Sequence, residues 1–104
     1  MLNLYTEARA IAQEAWNESE HDEETAREYI FQTCDGHELA IYYHKAIDFC
    51  ADQDTSDGEQ WLEDCGSLVQ DGDTFGGIAC RIAFATLLCA SESALSEIIE
   101  EESN

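Results

Sequence analysis

The stretch Asp52-Gln-Asp54-Thr-Ser56-Asp57-Gly58-Glu59-Gln-Trp61-Leu62-Glu63 comes nearest in this chain to a site that could do chemistry. Oxygen donors at its first, third, fifth and twelfth positions follow the spacing of a calcium loop. The glycine that bends such a loop belongs at the sixth place, whereas Gly58 stands at the seventh and Glu59 takes the usual apolar eighth. The expectation is an acidic surface loop. His37, His44 and Cys34 lie close in sequence, but no CxxC or HxxxH spacing makes a zinc site of them. Nothing marks an oxyanion site or an activated thiol for Cys–His nucleophilic catalysis. Carboxylate pairs are so abundant that no single pair signals acid–base work. The chain is expected to have no catalytic residue, metal or cofactor.

Taken together, the carboxylates are a different matter. Twenty-four Asp and Glu face only four basic side chains, Arg9, Arg27, Lys45 and Arg81, and leave a formal charge of −20 on 104 residues. Solubility needs far less, and the excess works against the compact state by self-repulsion. Binding to nucleic acid or to an anionic membrane is disfavoured on charge alone. The targets of such a surface are positive, and large positive grooves are characteristic of proteins that hold DNA or RNA. The leading expectation is a protein that imitates nucleic acid and occupies a DNA-binding protein. B-DNA carries one charge per ~1.7 Å of axis, so −20 matches ~10 base pairs, and a dimer matches ~20. Three other readings of the charge are a surface kept for solubility, adaptation to a salt-rich cytoplasm, and an acidic adaptor or chaperone that holds a basic protein segment.

Helices must position these acids. The chain has no Pro and 44% apolar residues, with Ala, Leu, Ile and Glu abundant, a composition that favours an all-α domain. Two Trp, four Tyr and four Phe argue against disorder. Apolar spacing predicts a first helix over about Asn3 to Trp16 and a second over about Glu23 to Cys34, with Asp35-Gly36 as a left-handed stop. A third is predicted over about His37 to Asp52, its stripe formed by Leu39, Tyr42, Tyr43, Ala46, Ile47, Phe49 and Cys50. A polar loop at 52–58 precedes a short piece around Glu59 to Cys65. Residues 66–74 form another loop, with Leu68 and Val69 tucked inward and a turn at Asp71-Gly72-Asp73. Thr74 caps a long central helix, Phe75 to Glu102, whose last three glutamates oppose the helix dipole and suggest a frayed or functional tail. The result is one domain of four or five helices around that element, expected as an elongated homodimer.

On this scaffold Glu14/Glu18, Glu20/Glu24, Glu24/Glu28, Asp48/Asp52 and Glu59/Glu63 fall four residues apart, so each pair sets like charges on one face. The phosphate-imitating candidates are Glu20, Asp22, Glu23, Glu24 and Glu28 on the second helix and its approach, and Asp48, Asp52, Asp54, Asp57, Glu59, Glu63 and Asp64 around the polar loop. Asp71, Asp73, Glu97, Glu100, Glu101 and Glu102 complete the set.

The order of features also resembles the Ocr family of phage anti-restriction proteins. The resemblance is carried by His37-Glu-Leu-Ala-Ile-Tyr42-Tyr43-His-Lys-Ala-Ile-Asp-Phe49, the acidic segment with Gly58 and Trp61, and the apolar run Ile78 to Leu95 ending in Glu100-Glu-Glu102. It covers about residues 23–104 as an order of elements. It implies a small acidic α-helical dimer that imitates bent DNA and blocks a type I restriction–modification enzyme in a host cytoplasm.

The remaining signals read as structure. The five cysteines (34, 50, 65, 80 and 89) are odd in number, without a close pair, and read as reduced, mostly buried thiols. Arg81 interrupts the most apolar run and must reach the surface or meet an acid. Tyr42, Tyr43, Phe49, Trp61 and Phe84 read as core, with a subset left to cover any self-association patch. The run Phe75 to Ala90 falls short of the ~20 residues of a membrane span. Residues 1–16 lack a basic leader, which points to a cytosolic protein.

Overall fold

The apolar run after Thr74 forms one unbroken helix because nothing in it breaks a helix and its first turn is capped: the Thr74 hydroxyl accepts from the Gly77 amide at 3.1 Å. A computed structural model describes residues 3–103, leaving Met1, Leu2 and Asn104 outside. Among the described residues the chain forms six helices and no strand: α1 (Leu4–Glu18), α2 (Glu23–Asp35), α3 (Glu38–Ile41), α4 (Tyr43–Asp52), α5 (Ser56–Asp64) and α6 (Phe75–Glu102). Every one of the other five helices packs on α6. The molecule is elongated, 45 × 29 × 21 Å.

Because α6 is apolar nearly all round, it serves two cores. Its C-terminal half packs with α1 and α2 through Leu87, Leu95 and Ile98 against Ile11, Trp16 and Ile30. Its N-terminal half packs with α3 and α4 through Ala79, Cys80 and Ala83 against Leu39, Ala46 and Phe49. At 28 residues, α6 is also long and apolar enough to cross a membrane, contrary to the expectation from the Phe75–Ala90 run. Here half of its apolar window is buried against the helices around it.

The mid-chain helix is broken, and this raises the count to six. Tyr42 is extended (φ −97°, ψ 117°), ending α3 and starting α4. His37 caps α3 by accepting the Leu39 amide on Nδ1 at 3.1 Å. That bond leaves the Nε2 hydrogen to be donated to Glu7 of α1 at 3.0 Å. The break turns Tyr43 onto Gly76 of α6 and leaves Tyr42 and Tyr43 more than half exposed. Their expected place in the core is corrected; only Phe49 of that aromatic group is buried.

Three smaller expectations also change. Gly36 ends α2 at φ −93°, not in the left-handed region; the non-glycine residues Glu20 and His21 take that region instead, at φ 57° and 65°. Val69 is exposed. The 52–58 loop is shortened to residues 53–55, because α5 starts at Ser56, where Asp54 accepts the Ser56 amide at 3.0 Å. Gly58 therefore sits inside a helix and is buried against Thr86.

Arg81 is held by a bidentate pair to Asp73, with both N–O distances 2.8 Å, and also donates to the Leu68 carbonyl at 3.0 Å. The pair pins the 66–73 loop to α6. The bonds from Arg81, and then the Gln70 amide, hold the Asp73 carboxyl down at about 2. A carboxylate depressed below its ordinary 3.8 contributes stability that is complete above that value and is lost as pH falls through about 2. The melting temperature of Asp73→Asn is therefore expected to lie below that of the native chain at pH 5–6. The gap should close between pH 4 and 2; a gap constant across that range would refute this role.

Candidate functional site

The four basic side chains decide where the negative surface is uncompensated, and each is engaged by an acid of the same chain. Arg9 bonds Glu97 (3.3 Å) and Glu101 (2.5 Å), Arg27 bonds Glu23 (3.0 Å) and approaches Glu92 (3.9 Å), Lys45 bonds Glu38 (2.7 Å), and Arg81 bonds Asp73. The Lys45 bond and charge hold the Glu38 carboxyl below its ordinary range. None of the four cations is left to dilute the charge elsewhere.

The largest uncompensated tract follows directly. Between Lys45 and Arg81 the chain carries Asp48, Asp52, Asp54, Asp57, Glu59, Glu63, Asp64, Asp71 and Asp73 with no Lys, Arg or His. All are exposed except Asp73, which faces Arg81. They lie on α4, on α5 and on the loops flanking α5. Some brace the local backbone: Asp54 receives Ser56, whose bonds lower its pKa, Glu59 receives the Thr55 hydroxyl, and Asp64 receives Gln60. A carboxylate held by such bonds is oriented without being neutralised.

A second tract lies at the α1–α2 corner. Glu14 and Glu18 end α1, and Glu20 and Asp22 occupy the turn. Glu23 and Glu24 open α2, where the helix dipole favours them, and Glu28 follows one turn on. Asp22 caps α2 by accepting from the Thr25 amide at 3.3 Å and from its hydroxyl. Glu20 and Glu24 do not share a helix face as expected, because Glu20 belongs to the turn. That turn is fixed by the His21 amide bonding the Trp16 carbonyl (3.0 Å) and by the two rings stacking at 4.9 Å. Nearby, burial and then the Glu14 carboxylate push the Tyr29 hydroxyl up.

The C-terminal acids do not form a loose tail. α6 runs through Glu102, which accepts from Trp16 Nε1 at 2.7 Å and lies 3.5 Å from His21 Nδ1. With Glu97 and Glu101 engaged by Arg9, Glu100 is the member of the group for which no side-chain bond is seen. The α6 terminus therefore clamps α1 and contributes less free charge than the other two tracts.

Among the described residues no group of three or more His, Cys, Asp or Glu is arranged to hold a metal ion. The thiols are all free: Cys34 and Cys80 are buried, Cys50 and Cys89 partly so, and Cys65 is exposed. Burial pushes Cys34 up to about 12 and also raises Cys50, Cys80 and Cys89. With a disulfide reagent at pH 8 one thiol, Cys65, is expected to react fast and Cys34 last, with all five reacting only in denaturant. A Cys65→Ser chain that keeps its fast phase would contradict the assignment.

Sequence reading missed an aromatic group. Phe84 of α6 meets Phe31 of α2 edge-on at 5.4 Å and Trp61 of α5 at 6.4 Å, and Phe31 and Trp61 are 47% and 37% exposed. Phe31 carries no apolar periodicity, and no signal in the sequence marks it as exposed. No family model, curated protein or solved structure matches this chain.

Proposed function

We propose that this protein acts as a DNA mimic, a competitive inhibitor whose carboxylates stand in for the phosphates of a duplex in the cleft of a DNA-binding defence protein. The observation that carries this reading is the internal pairing of Arg9, Arg27, Lys45 and Arg81, which leaves the run from Asp48 to Asp71 free of any cation and, at the α1–α2 corner, engages Glu23 alone through Arg27. Charge density supports it as well. A net charge of −20 along a 45 Å axis is one charge per ~2.2 Å, close to the ~1.7 Å of B-DNA. Helices hold these groups at fixed spacings, so little ordering entropy is lost when a cationic cleft closes on them. The inhibitor works by occupancy and transfers no group. Its resemblance to the Ocr family points to a type I restriction–modification enzyme as target, met in a host cytoplasm by a homodimer of this chain.

A second reading, an acidic adaptor or chaperone that holds a basic protein segment, is favoured by the exposed Phe31 and Trp61 over the half-buried Phe84, since pure charge imitation has no use for them. Competition separates the two. The inhibitor should be displaced from a captured DNA-binding enzyme by duplex DNA, with affinity falling steeply between ~50 and ~200 mM salt. Binding that is indifferent to added duplex would reject imitation in favour of the adaptor.

A further inference from the structure

We infer that the channel between α2 and α5 is a docking groove for an arginine-bearing amphipathic segment of a partner protein. Both helices pack on α6, yet among the described residues their backbones do not approach each other closely. Phe84 of α6 joins them, meeting the Phe31 ring of α2 edge-on at 5.4 Å and the Trp61 ring of α5 at 6.4 Å. Glu24, Glu28, Phe31 and Asp35 follow one another at steps of four, three and four residues, so they share one stripe of α2. Asp64 stands three after Trp61 on α5, while Asp57, four before it, lies on the α1 side of α5 beside Leu4, Tyr5 and Ala8. The groove is thus an aromatic strip with the exposed Glu24, Glu28 and Asp35 of α2 as one acidic shoulder and the exposed Asp64 of α5 as the other. The cations near it, Arg27 and Arg81, are already bonded to acids of this chain.

Charge complementarity selects the occupant. A second copy would press acidic shoulders against their like, and a nucleic acid or an anionic lipid surface meets the same repulsion. A partner that is only basic satisfies the shoulders and leaves the rings in water. An arginine satisfies both, because its planar guanidinium stacks on an aromatic face while bonding a carboxylate, and Lys does this less well. Apolar residues on the same segment cover Phe84. This rests on the adaptor reading, whose basic segment it specifies, and does not depend on imitation of a duplex.

The test uses the full chain and three labelled synthetic helical peptides: one with a leucine stripe flanked by arginines, one with Lys for each Arg, and one with Ser for each Leu. Fluorescence anisotropy at moderate salt should rank the Arg/Leu peptide first, with the Ser variant roughly tenfold weaker. Phe31→Ala and Trp61→Ala should each weaken the Arg/Leu peptide roughly tenfold, whereas Glu7→Gln/Glu38→Gln, two charges on α1 and α3 off the groove and outside both acidic tracts, should cost under about threefold. Helical content and the urea midpoint are measured alongside, and Phe31→Ala decides alone if Trp61→Ala disturbs α5. Equal loss in the aromatic and off-groove variants, or equal binding of the Leu and Ser peptides, would overturn the proposal. So would sedimentation showing that Phe31→Ala dissociates a native dimer, which reassigns the groove to a second copy. Failure of duplex DNA to compete for a captured enzyme leaves these peptide outcomes unchanged, so the two ideas fail separately.

Discussion

Replacing Asp52, Asp54, Asp57, Glu59, Glu63 and Asp64 together by Asn or Gln is expected to weaken inhibition of a DNA-handling target at least ~100-fold near physiological salt. Six exposed ion pairs at ~0.5 kcal/mol each amount to about 3 kcal/mol, and 1.4 kcal/mol is tenfold. The change takes the net charge from −20 to −14. The slope of log affinity on log salt should fall by up to ~5, since each phosphate equivalent contributes ~0.9. The fold should persist, because an amide keeps the acceptor oxygen on which the bonds of Asp54, Glu59 and Asp64 depend. The control is Glu97→Gln/Glu101→Gln, which removes charge already engaged by Arg9. It should lower thermal stability more than potency. An unchanged salt slope in the six-site variant would move the contact surface away from α4 and α5.

Gly58→Ala is expected to be the most damaging single methyl in the chain, costing about 3 kcal/mol of a total near 5–15. The added Cβ would lie 2.5 Å from the Thr86 nitrogen and 2.8 Å from its Cα. These are backbone atoms of α6, so relief requires α5 to lift from the helix on which everything else packs. In urea the midpoint should drop by about 1–2 M at unchanged slope. Gly76→Ala also meets a neighbour, the Tyr43 ring, with Cγ at 2.5 Å. Tyr43 is half exposed and can swing outward, so its cost should be smaller. Gly77→Ala meets only the Thr74 hydroxyl at 3.2 Å and should be neutral or slightly stabilising, as alanine is the better helix former. If Gly58→Ala and Gly77→Ala prove equally stable, the close α5–α6 approach is not what holds α5.

The all-α class, the long C-terminal helix with its Thr74 cap, and the charge were legible in the sequence because they rest on local quantities. Residue propensity, apolar spacing and a count of acids do not depend on what lies across the molecule. The break at Tyr42 was not legible, because a seven-residue step from Leu39 to Ala46 keeps the apolar stripe aligned whether the helix is continuous or broken. Only contact with Gly76 and the tie from His37 to Glu7 reveal it. The role of Gly58 was misread for a related reason: among acids a glycine reads as a turn, whereas here it gives α5 room to approach Thr86.

The candidate surface divides the same way. Sequence alone determined that acids exceed cations sixfold and that none of the cations falls between Lys45 and Arg81. Tertiary structure alone decided which acids remain uncompensated, since the partners of Arg9 lie 88 and 92 residues away on α6. It also decided that Phe31 and Trp61, from two different helices, meet over Phe84. Charge and periodicity are sums over neighbouring residues, whereas a pairing between distant side chains exists only once the packing of helices on α6 brings them together.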